Sequence, residues 1–237
     1  MNQAIIIGAT SGIGRELALI LARNGYTIGI TGRRTELLAE LQAELPGKSF
    51  RRTMDIADTE KAMATLERLL TEMGDVELLV ICAGVGFIDP ELPWARERKT
   101  VAVNVLGFTA IANVAYHHFQ ARGSGHLVGI SSIAALRGGP APAYNASKAF
   151  MSNYLQGLRY RVTKQHQPIT ITDIQPGFVD TAMAQGDGLF WVASPRKAAA
   201  QIFDAIRNKK EHAYVTRRWR LVAWFMKLVP DWLYRKL

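Results

Sequence analysis

The chain has 237 residues, of which 49% are hydrophobic and 21% are charged, and its formal net charge is +9. This composition excludes an intrinsically disordered chain, and the length suits one α/β domain with a full core. Most basic residues alternate with acidic ones, and neither zinc-ligand spacing nor an RNA-binding aromatic motif accompanies them, so we predict no nucleic-acid binding and no metal site.

Strand-like and helix-like segments alternate along the whole chain. The N-terminus has no basic segment ahead of its short apolar run, and no stretch of about 18 apolar residues occurs, so neither a signal peptide nor a spanning helix is predicted. The strand-like runs lie at 4–8, 27–32, 49–55, 76–84, 125–132, 169–177 and 212–218. The helical patterns lie at 13–24, 35–45, 58–73, 97–121, 142–166 and 195–208.

Near-continuous apolar strands are typical of a sheet that is covered on both faces, and their alternation with helices favours parallel strands. We therefore predict an α/β fold of one domain spanning residues 1–237. It is a doubly wound, Rossmann-like parallel sheet of about seven strands, with helices on both faces. The single Cys82 cannot form an intrachain disulfide, which favours a cytoplasmic location.

The first predicted strand runs into a glycine-rich turn, "GATSGIG", which contains Gly8, Gly12 and Gly14. Glycines between a strand and a helix let the backbone approach a pyrophosphate, and the helix N-terminus favours negative charge. A tight turn without any ligand is the alternative interpretation. The position of the motif, after a strand and before a helix, favours a dinucleotide site.

The second predicted strand ends in "TGRR", with Arg33 and Arg34 where an NAD-preferring site usually offers an acidic residue. A guanidinium can pair with the 2′-phosphate of NADP, which a carboxylate would repel. The pattern therefore favours NADP(H) over NAD(H). Two solvated charges at the start of a helix remain the alternative.

The segment "YNASK" places Tyr144 and Lys148 four residues apart, so a helix would present both on one face. Taken alone, this spacing is typical of an ordinary surface helix. In a nicotinamide site the pair has a chemical meaning, because a nearby ammonium favours the phenolate and would lower the pKa of the tyrosine.

Together these motifs resemble the short-chain dehydrogenase/reductase family over nearly the whole chain. "GATSGIG" resembles its cofactor turn, "MDIAD" its adenine-side segment and "CAG" its N-A-G element. "VNVLG", "ISSIAA", "YNASKA" and "QPGFVDT" resemble its remaining site segments, in the family's order. The resemblance implies cofactor contacts from Gly8, Thr10, Ser11, Gly12, Ile13, Gly14, Arg33, Arg34, Asp55, Ile56, Ala83, Gly84, Tyr144, Lys148, Pro176, Gly177, Val179 and Thr181.

The resemblance also implies the catalytic residues. Tyr144 would be the general acid and base, Lys148 would hold the cofactor ribose, Ser132 would bind the substrate oxygen, and Asn104 would anchor a water. Ser131 stands at the family's usual distance from the tyrosine, but the strand context aligns Ser132. A second departure is Cys82, which stands where the family usually has Asn, so a hydrogen bond that orders the backbone would be lost or replaced.

The implied function is NADP(H)-dependent hydride transfer to or from a small-molecule carbonyl or secondary alcohol, in a homo-oligomer (a dimer or a tetramer). A regulator that binds the cofactor without turnover and a lipid-modifying reductase at a membrane surface are the alternatives. We expect a short lid after Thr181, with mobility from Gly186 and Gly188. Its apolar residues would line a lipophilic pocket: Met183, Leu189, Phe190 and Trp191.

The C-terminal segment 217–237 is an amphipathic extension that a cofactor-binding fold does not itself require. As a helix it carries two apolar stripes, and Pro230 should interrupt it. One stripe can cover the domain's own core. The other needs a second cover, which packing within an oligomer or contact with an anionic membrane would supply. The stripes are Trp219, Val222, Met226 and Val229, and Leu221, Trp224, Phe225 and Leu228.

Overall fold

The computed structural model describes residues 2–181 and 190–234. Within these ranges seven strands form one parallel sheet in the order β3-β2-β1-β4-β5-β6-β7. The predicted fold class is confirmed. The strands are β1 (Gln3–Ile7), β2 (Thr27–Gly32), β3 (Ser49–Thr53), β4 (Leu78–Ile81), β5 (Gly125–Ile130), β6 (Ile169–Pro176) and β7 (His212–Val215).

Helices connect the strands, and two helical segments of other types mark the site. A π-helical segment, Ala102–Gly107, joins α4 to α5, and a 3-10 helix, Ile133–Leu136, follows β5. The α-helices are α1 (Gly12–Arg23), α2 (Thr35–Glu44), α3 (Thr59–Met73), α4 (Trp94–Val101), α5 (Phe108–Arg122), α6 (Pro142–Lys164), α7 (Pro195–Arg207), α8 (Trp219–Leu228) and α9 (Asp231–Tyr234).

The core has one apolar layer on each face of the sheet. Along β1, Ile6 belongs to the layer that packs on α1, α2 and α7, while Ile5 and Ile7 belong to the layer under α3, α5 and α6. Successive side chains of a strand point to opposite faces, so a strand covered on both sides must be apolar throughout. This explains the uninterrupted run "AIII".

The region from Trp94 to Arg122 is helical throughout and is, by length and composition alone, apolar enough to cross a membrane. In the fold, 56% of its most apolar window is buried. Phe108, Ile111 and Phe119 of α5 are fully buried in the layer beneath the sheet. Its apolar character is therefore explained by packing in the core.

The strand order reverses direction at β1, which lies between β2 and β4. In an open parallel sheet such a point leaves a crevice at the carboxyl ends of the strands, where ligands bind. The glycine turn after β1 and the segments after β4, β5 and β6 all reach this edge.

Candidate active site

The three glycines after β1 are each required by close contacts. Gly8 has φ +88°, and a Cβ there would lie 2.7 Å from the Cα of Ala83. A Cβ on Gly14 would lie 2.2 Å from the carbonyl oxygen of Gly8, and Gly12 has φ +58°. Ser11, the N-cap of α1, makes no side-chain hydrogen bond to the helix, so the N–H groups of the first turn stay available to an anion. The turn therefore fits the pyrophosphate of a dinucleotide.

The two arginines of "TGRR" have different positions. The Arg34 guanidinium donates to the hydroxyls of the glycine turn, at 2.6 Å to Thr10 Oγ1 and 2.7 Å to Ser11 Oγ. Arg33 lies 3.8 Å from the carboxylate of Asp55 on the neighbouring loop. Both cations therefore border the crevice, and Arg34 is the one in contact with the glycine turn.

Asn104 lies in the π-helical segment and is fully buried. Its Oδ1 accepts from the N–H of Val85 at 2.9 Å, and its Nδ2 donates to the Val85 carbonyl at 2.7 Å and to Ser147 Oγ at 2.9 Å. Ser147 Oγ in turn donates to the carbonyl of Tyr144 at 2.8 Å. Both N–H groups of the amide are used within the protein, so a water could be held only through oxygen atoms.

Lys148 is 4% exposed, which rules out the surface-helix interpretation for this residue. Its Nζ donates to the carbonyl of Ile130 at 2.9 Å and lies 5.7 Å from the centroid of the Tyr144 ring. Burial lowers the pKa of Lys148 to about 8, and the nearby Asp173 carboxylate opposes this shift. Lys148 thus stays mostly cationic at neutral pH, at the side of the phenol.

Ser132 is the serine that contacts Tyr144. Burial raises the pKa of Tyr144, and the hydrogen bond from Ser132 partly offsets that rise. We expected the pKa of Tyr144 to be lowered, and that direction is wrong here because desolvation of the phenol dominates. Ser131 points elsewhere, donating to the carboxylate of Asp173 and to the carbonyl of Ile174.

The loop after β4 covers these side chains. A Cβ on Gly84 would lie 3.3 Å from both Asn104 Oδ1 and Lys148 Nζ, and one on Gly86 would lie 2.6 Å from the Tyr144 ring. Cys82 packs against the apolar layer at the start of this loop, and burial raises the pKa of its thiol to about 12. The loop is ordered instead by Asn104, through its two hydrogen bonds to Val85.

The segment after β6 closes the opposite side of the crevice. The carbonyl of Pro176 lies 3.5 Å from Ser132 Oγ. A Cβ on Gly12 would lie 3.1 Å from Thr181 Cγ2, so the end of this segment lies against the glycine turn. The side chain of Val179 is only 6% exposed and packs in the core, so a cofactor contact could come only from its backbone.

Two of the predicted cofactor residues contribute mainly to packing. Ile13 packs against the layer under α1, and Ile56 is 4% exposed. A Cβ on Gly107 would lie 2.4 Å from the Ile56 carbonyl, so the π-helical segment rests on this backbone. In the expected lid, Met183, Gly186, Gly188 and Leu189 lie outside the described residues.

Sequence reasoning missed Ser147 and Asn145, which position the site. Asn145 Nδ2 donates to the carbonyls of Ala134 at 3.1 Å and Arg137 at 2.9 Å, which fastens the loop after Ser132 onto α6. Both residues lie inside "YNASK", and a helical wheel would have placed Ser147, three residues on, beside Tyr144. Their partners come from distant segments, and no local pattern predicts those contacts.

Comparison with known proteins agrees with this arrangement. Residues 2–188 match the short chain dehydrogenase family. An uncharacterized oxidoreductase of Myxococcus xanthus is 40% identical over 189 residues, which cover 77% of this chain and 74% of that protein.

Solved structures share the fold. An alcohol dehydrogenase of Thermococcus sibiricus complexed with 5-hydroxy-NADP has a TM-score of 0.80 at 23% identity, covering 91% of this chain and 96% of the other. A short chain dehydrogenase/reductase of Burkholderia phymatum in complex with NAD has a TM-score of 0.84 at 20% identity, covering 94% of this chain and 91% of the other.

The family's proteins are oxidoreductases that bind a nicotinamide cofactor and act on small molecules, often as oligomers. The family match over residues 2–188 spans the segments that form the crevice described above, and the 40% identical relative covers 77% of the chain. The chain therefore belongs to the short-chain dehydrogenase/reductase family and is an oxidoreductase.

Proposed function

We propose that this protein is an NADP(H)-dependent oxidoreductase that interconverts a carbonyl compound and a secondary alcohol. One observation carries the proposal: Tyr144, Ser132 and Lys148 converge where the sheet reverses its strand order. They lie directly beneath the loop that also contacts the glycine turn. A regulator without turnover would have no use for a buried lysine and a serine beside one phenol.

Each side chain has a defined part in this chemistry. The bound nicotinamide supplies or accepts the hydride. Tyr144 donates a proton to the substrate oxygen in reduction and removes it in oxidation. Ser132, through its Oγ, stabilises the charge that develops on that oxygen. Lys148 binds the cofactor ribose and keeps a positive charge beside the phenol, and Asn104 holds the loop that closes over both.

The preference for NADP(H) rests on Arg34 and Arg33. Fluorescence titration should show tighter binding of NADPH than of NADH, and Arg34→Ala should weaken NADPH binding at least about tenfold. Loss of one charge-assisted pair costs about 1.5–3 kcal/mol, and 1.4 kcal/mol is tenfold in affinity. Arg33→Ala should have a smaller effect, since the Arg33 guanidinium lies beside the Asp55 carboxylate and not against the glycine turn.

Arg23→Ala is the matched control for the loss of a positive charge, because Arg23 is exposed at the far end of α1. It should leave both affinities unchanged. Equal affinity of the unmodified protein for NADPH and NADH would contradict the proposed preference for NADP(H). An Arg34→Ala exchange that weakens the binding of both cofactors equally would contradict it as well.

The function itself is tested by a screen of ketones, aldehydes and secondary alcohols with NADPH and NADP⁺, following the absorbance of the reduced nicotinamide. We expect turnover with at least one lipophilic or aromatic compound. Half-exposed Phe190 and Trp191 beside the segment that follows Pro176 support an apolar substrate. NADPH binding without any turnover across the screen would instead favour a regulator.

We also propose that the protein is a cytoplasmic homo-oligomer, either a dimer or a tetramer. Cys82 is a free thiol. Exposed apolar side chains on the helices of one face support association: Val101 and Leu106 near α4, and Phe150 on α6.

A further inference from the structure

Helix α8 presents an apolar face to solvent. Leu221 and Trp224 are each 59% exposed, Phe225 is 54% exposed and Leu228 is 83% exposed. We refer to these four residues as the outer face of α8. Trp232 of the following helix, α9, is also 66% exposed. A contiguous exposed patch of large apolar side chains is typical of a protein–protein or membrane interaction site.

The helix cannot rotate to bury this face, because its opposite side is already fixed in the fold. Trp219 is 2% exposed and Ala223 is fully buried. Arg137, from the loop after Ser132, donates to the carbonyl of Met226 at 2.7 Å and to the carboxylate of Asp231 at 2.5 Å. The outer face therefore has a defined orientation.

The inner side of the same helix packs against the segment after β6, which closes one side of the crevice. A Cβ on Gly177 would lie 2.0 Å from the Trp219 ring, so the backbone after Pro176 rests directly on this indole. Phe178 meets the same ring edge to face at 5.2 Å, and Phe190 stacks on it at 5.0 Å. Helix α8 itself and the aromatic side chains on its inner side thus lie between the outer face and the segment that follows Pro176.

The charges around α8 identify the occupant. Segment 217–237 contains six basic residues and one acidic residue, Asp231, which is paired with Arg137. Arg220 and Lys227 are exposed and lie seven residues apart, hence on one side of the helix, between its inner and outer faces. A two-fold contact between copies of the chain through this face would bring these cations close to the same set of cations on the second copy. An anionic lipid surface would neutralise them.

We propose that the outer face of α8 binds the surface of an anionic membrane. Its tryptophan, phenylalanine and leucine side chains enter the boundary between headgroups and acyl chains, while Arg220 and Lys227 contact the lipid phosphates. Binding to a membrane also determines the substrate class of the enzyme. This second inference rests on the proposed function. The cleft held at the bilayer takes a lipophilic carbonyl compound or alcohol from the membrane.

The docking test is co-sedimentation of the full chain with vesicles of phosphatidylcholine alone or with phosphatidylglycerol. The chain should bind the anionic vesicles at low salt and be released as the salt concentration rises. Trp224→Glu combined with Phe225→Glu should lower the partition coefficient at least about tenfold, because both apolar insertion and charge attraction are lost. Arg220→Gln combined with Lys227→Gln should remove mainly the dependence on anionic lipid.

Trp94→Glu combined with Tyr160→Glu is the matched control, since these aromatic residues are 73% and 67% exposed on other helices. This variant should bind the vesicles as the unmodified chain does. Full-length protein that stays in solution with anionic vesicles at low salt would refute the proposal. Vesicle binding that survives the Trp224→Glu, Phe225→Glu exchange would also refute it. If the exchange only reduced the mass of the oligomer, the outer face of α8 would be assigned to contact with a second copy of the chain.

The substrate step is tested separately. A long-chain ketone dissolved in anionic vesicles should be reduced far more slowly by the Trp224→Glu, Phe225→Glu variant, whereas a short water-soluble ketone should be reduced at an unchanged rate. Equal loss on both ketones would contradict delivery from the membrane. Vesicle binding in the absence of any turnover would leave the docking intact and refute the proposed function instead.

Discussion

Replacing Tyr144 by Phe is expected to lower the turnover of the protein by about 10²–10⁴-fold, the usual contribution of a positioned acid or base. The substitution removes only the hydroxyl, and the ring would keep its contact with the loop at Gly86. The fold and the affinity for NADPH should therefore persist. The measurement is kcat with the best substrate of the carbonyl screen, beside a fluorescence titration with NADPH.

Tyr160→Phe is the matched control, because Tyr160 lies on the same helix and is 67% exposed. It should leave turnover unchanged. Lys148→Met should lower both turnover and NADPH affinity, since we assign Lys148 to ribose binding and to the charge beside the phenol. A Tyr144→Phe variant with nearly normal turnover would exclude Tyr144 as the proton donor.

The second large effect is expected from Gly14→Ala. In an ordinary helix this exchange stabilises the protein by about 1 kcal/mol, because alanine is the better helix former. Here the new Cβ would lie 2.2 Å from the carbonyl oxygen of Gly8, a backbone atom that cannot move without displacing β1. Overpacking of this kind costs about 1–3 kcal/mol, so we expect a lower free energy of unfolding in urea together with weaker NADPH binding.

Gly157→Ala supplies the comparison. Gly157 lies in α6, and a Cβ there would have no neighbour within 4 Å. This variant should be more stable than the unmodified protein by about 0.5–1 kcal/mol, with unchanged NADPH affinity. If Gly14→Ala were also stabilising, the close approach of α1 to the glycine turn would be contradicted.

The elements and their layering could be predicted from the sequence because they follow from local periodicity. Every predicted strand is present, although the run 76–84 forms a strand only over Leu78–Ile81. The residues from Cys82 onwards leave the sheet to form the loop over Tyr144, and their apolar character reflects packing instead. The ends of strands are poorly predicted because residues just beyond a strand can be apolar through burial alone, without hydrogen bonding to a neighbouring strand.

The motifs also predicted that Tyr144 and Lys148 would lie close together, since four-residue spacing on a helix is independent of the rest of the fold. They could not predict the pKa of Tyr144, because desolvation depends on how much of the whole fold surrounds the phenol. Nor could they distinguish Arg33 from Arg34. That difference is decided by which guanidinium reaches the hydroxyls of a loop more than twenty residues earlier.

By itself, the amino-acid sequence determined the parallel sheet, the glycine turn, the Tyr144–Lys148 pair and the two stripes of the C-terminal helix, because each depends on residue type and spacing alone. Only the tertiary structure decided which stripe is covered. Trp219 is buried under Gly177 and Leu228 is left in solvent because contacts between distant segments, including those of Arg137, set the rotation of α8. Hydrophobicity drives both stripes towards burial, and the geometry of the fold provides room for one.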